Sequence, residues 1–249
     1  MTEAVIRIKK KRLKNMSKKD ANVEVEQEIK IQLSREDLER VFSKLSAEVK
    51  TKDIGHKYLP RQYFDTSDLM LHAKHISLRV QYKPGAKGTL GSYEQTVKFE
   101  LIPQKALVKG MLLRKECKDA IGSPHPDLSA IADSQAVDII KPFKNKKLIH
   151  IFTAAVERRM FNLEVGKGKK RGTVEVAFDV GNIILAENGK HYPFSEIEIE
   201  LKKGSDAAIT AVQEKIMKLA PSAYIKSYTS KADVGCRIYK KYKARKTSP

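Results

Sequence analysis

Apolar and polar residues alternate with a period of two along much of the chain, which predicts a protein built mainly from β-strands. From Val23 to Ile31, Glu24, Glu26, Glu28 and Lys30 fall on one face, and Val23, Val25, Ile29 and Ile31 on the other. Successive side chains of a strand point to opposite sides. Glu196, Glu198, Glu200 and Lys202 repeat the pattern against Ile197, Ile199 and Leu201. Three stretches carry a helical period instead. Ser34, with Asp37 at the capping-box position, precedes the stripe Leu38, Val41, Phe42 and Leu45. Asp127 is the expected cap of a second helix carrying Leu128, Ile131 and Ile139. A third runs between Ser205 and Ala220, with Ile209, Val212, Ile216 and Leu219 on one face and Pro221 as its stop. Glycine-bearing turns at 84–91, 166–172 and 187–189 separate strands. With no internal repeat or linker, residues 21–244 read as one domain, and residues 245–249 as a short tail.

Composition narrows the class. In a chain of 249 residues, 41% are hydrophobic and 32% charged, and no apolar run is long enough for a transmembrane helix. The basic N-terminus has no apolar core, so no secretory signal is expected. Cys117 and Cys236 are the only cysteines. They form neither a disulfide framework nor a zinc spacing, which points to a reducing cytoplasm. The formal net charge is +19, a field that attracts polyanions. Residues 1–20 hold eight Lys or Arg against Glu3 and Asp20 and read as a mostly disordered basic tail. Charge alone leaves nucleic acid, polyphosphate, nucleotides and anionic membranes as partners.

The positions of the charges are more selective than their sum. Neighbouring carboxylates repel, so two rows of three glutamates suggest a bound cation, and hard ions such as Mg²⁺ or Mn²⁺ prefer carboxylate oxygen. Other strands carry cations at the same spacing. Arg79 lies between Ser77 and Gln81, and Lys98 between Thr96 and Glu100. Arg114 shares a face with Glu116, and Asp179 follows Glu175 and Ala177. Arg158 and Arg159 are adjacent, so one points each way. If these strands close into a barrel, both signs converge on one interior. The glycines at 85–88 lack a full phosphate-loop pattern, and the six histidines show no metal-ligand spacing.

In order along the chain stand Glu26-Gln27-Glu28-Ile29-Lys30, Tyr63-Phe64-Asp65-Thr66, Leu78-Arg79-Val80, Thr96-Val97-Lys98, Arg114-Lys115-Glu116, Asp179-Val180-Gly181, Glu196-Ile197-Glu198-Ile199-Glu200 and Ser230-Lys231. This series resembles the CYTH, or triphosphate tunnel metalloenzyme, family, and within it bacterial inorganic triphosphatases. The resemblance implies an α+β fold, an eight-stranded antiparallel β tunnel closed as a barrel with flanking helices. It implies metal-dependent hydrolysis of a triphosphate, inorganic tripolyphosphate first, with nucleoside and thiamine triphosphates as further substrates. Adenylyl cyclisation, or binding of polyphosphate or RNA without catalysis, are the alternatives. It places Mg²⁺ or Mn²⁺ on Glu26, Glu28, Asp179, Glu198 and Glu200. Lys30, Arg79, Lys98, Arg114, Arg159 and Lys231 would grip phosphates, with Glu28, Glu198 and Lys98 in catalysis. One departure is Gln81, where the family pattern carries a second arginine after Arg79. A one-residue shift in alignment would exchange Arg158 for Arg159.

Overall fold

A computed structural model describes residues 23–85, 89–101, 111–225 and 229–247. The basic segment 1–20 lies outside them. The strands are β1 (Val23–Gln32), β2 (Gly55–Asp65), β3 (Ile76–Lys83), β4 (Ser92–Glu100), β5 (Met111–Ile121), β6 (Ile149–Val165), β7 (Gly172–Leu185), β8 (His191–Gly204) and the short β9 (Tyr224–Ile225). They run in the order β5-β4-β3-β2-β6-β7-β8-β1-β9, and β1 also pairs with β5. Every pairing is antiparallel. The β1–β5 ladder therefore closes eight strands into a barrel, as the family resemblance implies, and β9 extends the end of β1.

Hydrophobic burial on the outside of the barrel fixes which face looks in. Ile29 and Ile31 of β1 and Ile197 and Ile199 of β8 are at most 1% exposed. They pack with Phe178 against the helices α1 (Arg35–Ser46) and α4 (Ala207–Leu219), through Leu38, Val41, Leu45, Ile209, Val212 and Ile216. Burying each such side chain is worth about 1.5–3 kcal/mol. A one-residue slip would turn them all inward, so this layer locks Glu26, Glu28, Glu198 and Glu200 toward the interior. α1 begins as the sequence predicts, with the Ser34 hydroxyl accepting from the Asp37 amide at 3.0 Å.

The second helix starts later than its sequence pattern suggests. α3 spans Ser134–Ile140, and its cap is Asp133, which accepts from the Ala136 amide at 2.9 Å. Asp127 is held elsewhere: its amide and carbonyl both bond the Gln95 side chain, at 2.9 and 2.7 Å. Asp119 takes the Ala132 amide at 3.1 Å. These ties to β4 and β5 hold 127–132 outside the helix, and local periodicity cannot register such bonds. Asp65 also has a structural role: it accepts from the amides of Thr66, Leu71 and His72 and so anchors the short α2 (Met70–Ala73).

The C-terminal helix α5 (Lys231–Thr247) packs on the apolar portion of the barrel, where Phe152, Ala154, Val156, Ile183 and Leu185 meet Ala232, Cys236 and Tyr239. Gly235 makes the close approach possible, since a Cβ there would lie 2.3 Å from the Phe152 ring. That ring is fully buried and stacked on Tyr63, with 4.6 Å between centroids, so it has nowhere to move. Among the described residues no helix is long and apolar enough to cross a membrane.

Alanine normally favours a helix over glycine by about 1 kcal/mol. At position 235 the overlap with Phe152 outweighs that gain, because overpacking a core costs about 1–3 kcal/mol. Gly235→Ala is therefore expected to lower stability by up to about 2 kcal/mol in urea unfolding. A stabilised variant would contradict this packing.

Candidate active site

The barrel encloses a cavity of about 490 Å³, within the range of small-ligand sites. Among the described residues, eight glutamates and eleven Lys or Arg side chains line it. Strand alternation delivers them: Glu24, Glu26, Glu28 and Lys30 come from β1, Arg114, Glu116 and Lys118 from β5, and Glu198, Glu200 and Lys202 from β8. β2 adds Arg61 and Tyr63, β3 adds Arg79 and Gln81, and β4 adds Lys98. Lys231 arrives differently, as the first residue of α5.

Most of the central charges are paired. Lys231 Nζ donates to Asp179 at 2.6 Å, to Glu196 at 2.5 Å and to Glu198 at 2.9 Å. Arg158 takes Asp179 in a two-pronged bond at 2.7 Å and reaches Glu198 at 2.5 Å. Lys30 bonds Glu28 at 3.0 Å and also Glu198. Lys98 donates to both Glu26 oxygens at 2.8 and 2.7 Å and lies 3.1 Å from Glu116. Arg79 bonds Glu116 at 2.7 Å, and Arg114 pairs with Glu28.

These contacts set the protonation states. Burial favours the neutral form of Glu198, but Arg158, Lys231 and Lys30 outweigh it and hold the carboxyl well below its ordinary range. Glu116 is lowered in the same way by Lys98 and Arg79. Burial pushes Lys98 down, against the pull of Glu26. Glu200 is the exception: burial, with repulsion from Glu26 and Glu28, pushes it up to about 7 despite the Lys202 bond at 2.8 Å.

The structure places Glu26, Glu28, Lys30, Arg79, Lys98, Arg114, Glu198, Glu200 and Lys231 around the cavity. Asp179 is fully buried, against Lys231 and Arg158. Arg159 is a correction. It points out of the barrel, with its guanidinium 3.8 Å over the Phe42 ring and a 2.7 Å bond to Glu39, and the inward position belongs to Arg158. The register Arg158↔Asp179 decides this, and neighbouring arginines in one strand cannot both face inward. Among the described residues, the carboxylate oxygens that lie within 4.8 Å of one another, a grouping suited to a metal ion, belong to Asp179, Glu196 and Glu198. Glu26, Glu28 and Glu200 are outside that trio, whereas Glu196 was absent from the sequence-derived ligand set. Glu196 shares the inward face of Glu198, so strand parity alone could have added it. Arg61, Tyr63 and Glu116 could have been found in the same way.

The Glu200 shift gives stability a defined pH dependence. Its folded pKa lies above the unfolded value, so folding penalises the charged form. Stability falls as pH rises from 4.5 through about 7. At 1.36 kcal/mol per unit, the penalty reaches up to about 3 kcal/mol by about pH 8. Glu200→Gln should be more stable than the wild type by up to that amount in urea unfolding at about pH 8, and indistinguishable from it at about pH 4. Equal stability at the higher pH would remove the strain attributed to Glu200.

Solved structures similar to this chain include one from Hippeastrum, described as an adenylyl cyclase with a dominant triphosphatase activity. It has a TM-score of 0.56 and 16% identity, over 85% of this chain and 95% of that one. A Bacillus halodurans protein named as an adenylate cyclase gives a TM-score of 0.49 and 20% identity, over 79% and 90%. The triphosphatase of the Mimivirus capping enzyme gives 0.48 and 9%, over 87% and 94%. Identities this low speak to the fold alone, which the Hippeastrum overlay supports. No curated protein matches the sequence. The CYTH domain model matches residues 24–232, and the chain belongs to the CYTH family.

Proposed function

We propose that this protein is a metal-dependent triphosphatase that hydrolyses inorganic tripolyphosphate inside the barrel, a closer kin of the inorganic triphosphatases than of the cyclases. The charge balance of the cavity carries this reading. Eleven cations and eight glutamates line it, and the buried Asp179 and Glu196 bring the carboxylates to ten. A nearly neutral interior of alternating charges suits a ligand that itself carries both signs, a polyanion with its metal ion. The chain's +19 therefore resides mostly outside the cavity, and it does not by itself argue for nucleic acid in the tunnel. The lining also favours an inorganic chain over a nucleotide. Of the aromatics among its described lining residues, Tyr63 is already stacked on Phe152 and Tyr58 is 65% exposed, which leaves no pair of faces among them for a base.

Asp179, Glu196 and Glu198 offer carboxylate oxygens within 4.8 Å of one another, donors that suit a hard divalent ion if Lys231, which bonds all three, turns from them to phosphate. Glu26 and Glu28 would complete the set for Mg²⁺ or Mn²⁺. Such an ion supplies neutralisation of phosphate charge and acidification of water. The chain's own residues do the rest. Lys98, Arg79, Arg114, Lys30, Arg158 and Lys231 bind non-bridging phosphate oxygens, where positioning and charge supply most of phosphoryl-transfer catalysis. A water oxygen attacks the terminal phosphorus, and the bond to the bridging oxygen breaks with its electron pair leaving on diphosphate. The water proton passes to a carboxylate. Glu200, near 7, is matched to accept it at neutral pH. Glu28 and Glu198, both lowered by their cations, stay ionised and are better suited to ligation.

Purified protein should release phosphate from tripolyphosphate with Mg²⁺ or Mn²⁺, at a higher kcat/KM than from nucleoside triphosphates, thiamine triphosphate or long polyphosphate. Glu28→Gln and Glu198→Gln should each lower kcat by about 100-fold, as expected when carboxylates that would hold the metal lose their charge. Lys98→Ala should raise KM if its contact is equally strong in ground and transition states, and lower kcat if the contact strengthens at the transition state. Glu48, paired with Lys215 on the outside, is the control, and Glu48→Gln should leave both constants unchanged. Background release with every substrate, or cyclic AMP as the product of ATP, would sink the triphosphatase reading.

A further inference from the structure

Three guanidinium groups reach the cavity from neighbouring strands: Arg79 on β3, Arg61 on β2 and Arg158 on β6. Two of them are neutralised. Arg79 bonds Glu116 at 2.7 Å, and Arg158 bonds Asp179 and Glu198. Arg61 has no carboxylate partner among the described residues. Its Nε donates to the neutral Gln81 side chain at 3.1 Å, and Nη1 and Nη2 have no hydrogen bond among those residues. Burial, with repulsion from Arg79 and Arg158, pushes its pKa down to about 10, so it remains charged at neutral pH. An unpaired cation held beside two like charges costs stability, and such a cost is typical of groups kept for a ligand.

Its place on the barrel wall is specific. Arg61 and Gln81 stand directly opposite each other in the β2–β3 ladder. Gln81 is the inward position after Arg79, where the sequence departs from the pattern of the family that it resembles. The cation missing from β3 is thus supplied from β2, and the Gln81 carbonyl fixes its Nε so that the two terminal nitrogens are left for a ligand. A planar guanidinium edge matches two phosphate oxygens at once.

We propose that Arg61, aimed by Gln81, is a phosphate-binding residue of the tunnel and that Gln81 is its positioning residue. The assignment rests on the triphosphate reading for the identity of the ligand, and on the unpaired guanidinium for its place.

The test uses the full chain with tripolyphosphate as the probe and has three readouts: affinity by calorimetry in EDTA, thermal stability without ligand, and turnover with Mg²⁺. Arg61→Ala should weaken tripolyphosphate binding by about tenfold or more, as expected for a lost charged hydrogen bond, with an unchanged or higher melting temperature. Gln81→Ala should weaken it by about threefold. The exchange variant Arg61→Gln/Gln81→Arg should recover affinity to within about threefold of the wild type. Wild-type affinity in Arg61→Ala would overturn the assignment. So would a lower melting temperature in that variant, or an exchange variant as weak as it. Hydrolysis by the wild-type chain is scored separately. Binding without hydrolysis would refute the triphosphatase and leave Arg61 an anion ligand. Hydrolysis with unaltered Arg61→Ala affinity would refute only the role of Arg61.

Discussion

Closing eight strands into a ring removes more than a dozen ionisable side chains from bulk water, and the fold stands only if they neutralise one another. A single unpaired ion in such an interior costs several kcal/mol. The antiparallel register supplies the partners. β1 pairs with β5 so that Glu26 stands opposite Arg114, and with β8 so that Lys30 stands opposite Glu198. β6 pairs with β7 so that Arg158 stands opposite Asp179. The hydrophobic layer outside holds this register, since Ile29, Ile31, Ile197 and Ile199 can be buried only when the glutamates face in.

That arrangement makes the interior responsive to a ligand. Glu198 is held by three cations, Lys30, Arg158 and Lys231, and Lys98 divides its charge between Glu26 and Glu116. These cations have partners that a phosphate could replace, and these carboxylates have partners that a metal could replace. Under the proposed function, ligand binding is then an exchange of partners within a preformed array, with little new charge to desolvate. Two groups are already out of balance without a ligand, Glu200 on the acidic side and Arg61 on the basic side.

α5 ties the far part of the barrel to this array. Its apolar face covers Phe152 and its neighbours, and its first residue, Lys231, enters the carboxylate cluster. The glycine at 235 sets how closely the helix sits and hence where that ammonium lies. Packing at one end and electrostatics at the centre are therefore coupled through one turn of helix.

The sequence by itself determined the alternation of each strand and the two acidic rows, whereas the closed β tunnel was an implication of the family that its motifs resemble. The alternation and the rows are local, because side-chain parity in a strand is fixed by the backbone. Only the tertiary structure decided between Arg158 and Arg159, since the choice depends on the pairing of β6 with β7. Only it moved the cap of α3 from Asp127 to Asp133, through bonds from Gln95 and Asp119 on other strands. It alone brought Glu196 beside Asp179, and set Arg61 across from Gln81. In each case the deciding contact joins residues far apart in the chain, and a period read along one segment carries no information about what the neighbouring strand places opposite it.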